Sequence, residues 1–126
     1  MAFAACLVVA PFAGAEPSAI AHQEIDYLLG FIGNSNCEFK RNGAWNSAQA
    51  AESHVRGKYD VLRKFGMIDT TNDFIDKAAT QSYFSGIPYE IKCGAGSPMS
   101  SKLWLSNELA RIRAVQERPQ DKSGTQ

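Results

Sequence analysis

The stretch "CEFKRNG" (Cys37 to Gly43) and its counterpart "PYEIKC" (Pro88 to Cys93) decide the fold. Each has a cysteine at one end, and each alternates in side-chain character, as a strand with one buried face does. In the antiparallel register that sets Cys37 opposite Cys93, Phe39 faces Ile91 and Arg41 faces Tyr89 on one side. On the other side Glu38 meets Lys92 and Lys40 meets Glu90, two opposite-charge pairs. Each such cross-strand pair contributes about 0.2–1 kcal/mol. A slip of one residue would turn Phe39 to solvent and part the cysteines. The expected unit is therefore a two-stranded antiparallel ribbon closed by a Cys37–Cys93 disulfide. That bond closes a loop of 56 residues (93 − 37).

Helical periodicity flanks the ribbon. Ser18 follows Pro17 and can cap a helix to about Phe31 with Ala21, Ile25, Leu28, Leu29 and Ile32 on its apolar stripe. A second helix is expected from about Ser47 to Phe65, with Ala48, Ala51, Val55, Tyr59 and Leu62 inward. Thr70 and Asp73 have capping-box spacing and open a third, which should fade near Ser82. A fourth spans about Lys102 to Gln116, burying Leu105, Leu109 and Ile112. Asn42-Gly43 and "SGIP" (Ser85 to Pro88) read as turns, and Gly94 to Ser101 as a loop. The expected architecture is α+β: four helices packed on a two-stranded sheet, in the order αβααβα, with one disulfide.

The chain has 126 residues, 44% of them hydrophobic and 21% charged, which suits one domain with a core. Lysine plus arginine equals aspartate plus glutamate, 13 each, which argues against broad electrostatic binding to nucleic acid. Residues 2–12 are apolar apart from Pro11, and "AGA" (Ala13 to Ala15) offers a small-residue cleavage pattern. Residues 1–15 are expected to be a secretory signal, although no Lys or Arg follows Met1; the alternative is an N-terminal core helix. The stretch is too short to span a bilayer. Removing it removes Cys6 and leaves an even cysteine pair, which in an exported protein is ordinarily a disulfide. Residues 16–117 form the expected domain. Residues 118–126 are expected to be a polar, disordered tail.

Chemistry-bearing residues are sparse. His22 and His54 stand in no metal-spaced cluster, and no metal or cofactor is expected. No serine lies in a nucleophile motif. His54 and Lys58 are four apart, hence on one side of the second helix, with Arg41, Asn42 and Asn46 just upstream. Such a cluster suits anion binding or a general base; the plainer reading is a solvated helix flank. Trp45, Tyr83, Phe84, Tyr89 and Trp104 are either a contact patch or the completion of a small core.

These residues together resemble an uncharacterised family of small exported proteins of Gram-negative bacteria, the domain of unknown function number 5329. The resemblance rests on "EIDYLL", "CEFKRNG", "SHVRGKY", "DFIDKAATQSYFSGIPYEIKC" and "WLSNELARIR", and covers about residues 20–113. It implies a periplasmic or envelope location and the Cys37–Cys93 bond, and it implies no activity. It directs attention to Arg41 to Gly43, His54, Lys58 and Ser85 to Tyr89, so the candidate binding residues are Arg41, Asn42, His54, Lys58 and Tyr89. The expected function is a monomeric, non-catalytic module that binds an envelope protein or cell-wall component. The alternatives are a small hydrolase or transferase using His54, and a periplasmic enzyme inhibitor.

Overall fold

The computed structural model describes residues 16–117. The expected signal segment with Cys6, and the expected tail, lie outside the described residues. The element order is α1 (Ala19–Gly33), β1 (Glu38–Arg41), β2 (Ala44–Asn46), α2 (Ala48–Lys64), α3 (Thr71–Ala78), β3 (Glu90–Lys92), β4 (Met99–Ser100) and α4 (Ser101–Glu117).

The central register is the one the alternation demands. Glu38 pairs with Lys92, Phe39 with Ile91 and Lys40 with Glu90. The Cys37–Cys93 disulfide closes the end of this pair. Phe39 and Ile91 are buried and Lys40 Nζ lies 4.0 Å from Glu90. The expected Arg41–Tyr89 rung is absent from the ladder, because β3 begins at Glu90. The main chain of Tyr89 is engaged elsewhere: its N–H donates to Thr80 O, and its carbonyl accepts from Ser101 N.

The sheet has four strands in the order β2-β1-β3-β4, which corrects the two-stranded expectation. Asn42 (φ 51°) and Gly43 (φ 85°) both adopt left-handed backbone. That is the two-residue turn whose twist matches a hairpin, so the chain folds straight back and Arg41 pairs with Ala44. On the other edge, Met99 pairs with Ile91 within the segment expected to be loop. The third helix stops at Ala78 rather than near Ser82. From there Gln81 bridges to Pro88, and the Thr80–Tyr89 hydrogen bond closes a loop with Phe84 fully exposed at its tip.

The helix caps form as their residues dictate. Ser18 accepts from Ala21 N, Ser47 from Ala50 N, and Thr70 and Asp73 form a complete capping box. Ile25, Leu28, Leu29 and Ile32 of α1 pack with Val55 and Leu62 of α2, Phe74 and Ile75 of α3, and Leu105 and Leu109 of α4. Burying one such side chain contributes about 1.5–3 kcal/mol. Ile112, expected inside, is only partly buried. Trp104, partly buried, packs against the core: it stacks on Phe31 at 4.4 Å and meets Phe39 edge-on at 5.6 Å.

Two buried carboxylates pin α4 to α1. Glu24 accepts two hydrogen bonds from Arg113, each 2.9 Å, and one from the hydroxyl of Thr71. Glu108 accepts from Arg111 and from the hydroxyl of Tyr27. Arg113 and Arg111 hold these two carboxyls below the usual carboxylate range, against the opposing effect of burial. Among the described residues, no helix is long and apolar enough to cross a membrane.

Candidate functional site

Helix α2 carries His54 and Lys58 one turn apart, and both turn toward the start of β3. There Tyr89 is buried, with 5% of its surface exposed. Its hydroxyl lies 2.9 Å from Lys58 Nζ and 3.1 Å from His54 Nε2. Lys58 also donates to the carbonyl oxygen of Gln81 at 2.7 Å and lies over the rings of Tyr83 and Tyr89, at 4.1 and 4.8 Å. The ammonium is thus caged by one carbonyl, one phenol oxygen and two aromatic faces, and only 7% of the residue is exposed.

The direction of the hydrogen bonds follows from donor inventory. An ammonium can only donate, so Tyr89 Oη accepts from Lys58. The phenol proton is then available to His54, whose neutral Nε2 accepts it and whose Nδ1 carries the ring proton. The electrostatics favour this neutral form. Burial lowers the His54 pKa, and the positive charges of Arg41 and Lys58 lower it further. Lys58 is itself pushed down to about 8, chiefly by burial and secondarily by Arg41. Burial raises the Tyr89 hydroxyl, with Arg41 opposing.

Beside this chain of polar groups lies a cavity of about 50 Å³. Arg41, His54, Tyr89 and Asn46 contribute its polar lining, and Phe39 and Val55 represent its apolar walls. Lys40 also lines it and is paired with Glu90. Among the described residues, no carboxylate lines the cavity. None of the ion pairs found among them involves Arg41 or Lys58. Positive charge thus gathers at this end of the sheet.

The five candidate residues divide unevenly. Arg41, His54 and Tyr89 meet at the cavity, and Lys58 joins them through the Tyr89 hydroxyl. Asn42 does not line it. That residue sits at the tip of the β1–β2 hairpin, where its Oδ1 accepts from the hydroxyl of Ser85 at 2.8 Å. The sequence reasoning missed the carbonyl of Gln81, because a backbone acceptor leaves no mark in residue identity. It placed Phe39 and Val55 correctly in the core without seeing that they also wall a cavity. Of the aromatics, Trp45, Tyr83 and Phe84 are exposed, whereas Tyr89 and Trp104 are not.

A second, open groove of about 490 Å³ runs between α1 and α4, past Ile20, Tyr27 and Val115. Its charged members, Glu24 and Arg111, are already paired within the fold. The smaller cavity is therefore the better candidate. Among the described residues no group of three or more His, Cys, Asp or Glu side chains could hold a metal ion.

Comparison with known proteins gives kinship without an activity. The chain is 38% identical over 72 residues to the "Uncharacterized protein YfeK" of Salmonella typhimurium, a match covering 55% of this chain. The matched part spans 58% of the length of that relative. No solved structure matches. Residues 19–113 match the family of unknown function DUF5329, and the chain belongs to that family.

Proposed function

We propose that this protein is an exported, non-catalytic binding module of the periplasm or envelope, and that its cleft takes an anionic group of an envelope component. The observation that carries the reading is the convergence of Arg41, His54 and Lys58 around Tyr89, beside a cavity that no carboxylate among the described residues lines. An entering anion meets the exposed Arg41 guanidinium beside His54 and Lys58, whose side chains Tyr89 already holds in place. Export is supported by the disulfide, a bond at home in oxidising compartments, and by the apolar, small-residue character of residues 1–15.

Titration of the oxidised protein with acetate and with inorganic phosphate, followed through the His54 ring resonances, tests the site. A saturable shift from either anion is expected. Absence of any shift from both would overturn the anion reading. Osmotic-shock fractionation tests export, and retention with the cytosol and free thiols would remove that part.

A second reading is favoured by one observation: burial and the neighbouring cations hold His54 neutral, and its Nε2, once released from the Tyr89 hydroxyl, is a general base for a hydrolase or transferase. Turnover of an ester or amide panel that disappears in His54→Gln, with folding intact, would support it. Turnover that survives the substitution would remove it.

A further inference from the structure

The same cleft says more about its ligand than the sign of the charge, and the ligand class it implies rests on the anion reading of the site. Polar and charged residues make up about half of the lining, yet most of the surface they and their neighbours present to the space is hydrocarbon. Ile32, Phe39, Ala51 and Val55 present apolar side chains to the space. All four are also buried members of the core cluster, so these walls are held by packing on their far side.

An inorganic oxyanion gains little from such a wall. It keeps charge on every face, and each face left against hydrocarbon loses its water without a replacement donor. A carboxylate on a short hydrocarbon chain suits both halves of the site. Its head requires a planar fork such as the Arg41 guanidinium, which matches two carboxylate oxygens at once. Its tail requires dry, preformed apolar surface. The cavity of about 50 Å³ limits that tail to a short one. We infer that the cleft takes a small organic monocarboxylate, its head held by the Arg41 guanidinium beside His54 and its tail lodged against Phe39, Val55 and Ile32.

An aromatic–imidazole contact in the cleft supports this orientation. The His54 and Tyr89 rings meet edge to face, with centroids 6.0 Å apart, and Lys58 secures the phenol from behind. The polar edge is thereby fixed on the side of Arg41. The ligand is oriented with charge outward, where Arg41 is exposed, and hydrocarbon inward.

The experiment is a calorimetric and NMR titration of the oxidised chain with acetate, butyrate, hexanoate, butyramide and inorganic phosphate. Each added methylene should tighten binding about fourfold until the cavity is full, so butyrate should bind roughly fifteenfold better than acetate. The gain should level off by hexanoate. Butyramide and phosphate should bind at least about tenfold more weakly than butyrate. Arg41→Gln, at an exposed position, should weaken butyrate about tenfold. Val55→Leu should fill the cavity and erase the advantage of butyrate over acetate; if that variant does not fold, the Arg41→Gln result decides. A series with no dependence on chain length, phosphate as tight as butyrate, or butyramide equal to butyrate would overturn the monocarboxylate assignment. Saturable phosphate binding in that event would leave the anion reading standing. A protein that responds to none of the five probes would overturn both.

Discussion

Lys58 Nζ lies 2.9 Å from Tyr89 Oη, and no carboxylate among the described residues pairs with it. A buried lysine ordinarily finds an anionic partner or sheds its proton. Here the ammonium is held by a carbonyl, a phenol and two rings, which compensate its desolvation only in part. The arrangement leaves a stability cost inside the candidate site, and that cost can be measured.

Lys58→Met removes the cost and keeps most of the stem. The folded pKa of about 8 lies below the ordinary 10.5. Between those values the unfolded chain holds a proton that the folded chain has lost, so stability rises with pH across this window. Below pH 8 both states are charged and the full penalty applies. Relative to Lys58→Met, the wild type should gain up to about 3 kcal/mol as pH climbs from 8 to 10.5. Denaturant midpoints of both proteins across this range check it; a constant difference would show that Lys58 titrates normally.

The disulfide should be a major source of stability. Closing a loop of 56 residues is worth about 4 kcal/mol on chain-entropy grounds. The double variant Cys37→Ala, Cys93→Ala should lose a comparable amount in urea unfolding. A loss below about 1 kcal/mol would mean that the ribbon is held by packing alone.

Glu24→Gln should be costly at neutral pH and less so in acid. The carboxylate is 5% exposed and holds Arg113 and Thr71 together, while the side chain of Arg113 is 42% exposed, so solvent screens part of the attraction. A cost of about 2 kcal/mol is expected. The folded pKa is depressed, first by the Arg113 hydrogen bonds. The stabilisation is therefore present above the unfolded carboxylate pKa and lost as pH falls through the folded one. The gap between wild type and variant should close along that descent, as read by thermal unfolding.

Gly43→Ala probes the hairpin. At φ 85° a side chain strains the backbone, although nothing crowds the position. The expected cost is about 1 kcal/mol, with fraying of β2 visible as faster amide exchange at Ala44 and Asn46, the residues whose N–H groups face β1 in this register. Asn42→Gly should be tolerated far better, losing chiefly the bond to Ser85.

The parts of this fold legible in sequence were those in which several independent signals coincide. The β1–β3 register satisfies the cysteines, the Phe39–Ile91 contact and the charge pairs together, and a neighbouring register satisfies none of them. The helices carry both caps and stripes. Strands β2 and β4 have three and two residues, too few for alternation to register, so the sheet was read as half its width. The end of α3 was missed because the bonds that replace it, Thr80 to Tyr89 and Gln81 to Pro88, join residues far apart in local pattern. At the candidate site, His54 and Lys58 were legible from helical spacing. Tyr89 and Arg41 were expected as facing strand positions, and meet instead at the cavity next to the end of the ladder. The cavity itself is a matter of packing volume, which residue order does not spell out.

Arg41, His54, Lys58 and Tyr89 all fall between the two bonded cysteines, as does the exposed loop carrying Phe84. That part of the chain is a covalent ring. A protease that severs one peptide bond near Phe84 would add the mass of a single water and release no fragment until a reductant is added. A nicked molecule would thus keep every member of the cleft tethered to its neighbours, a property that would serve any disulfide-bonded protein exposed to endoproteases.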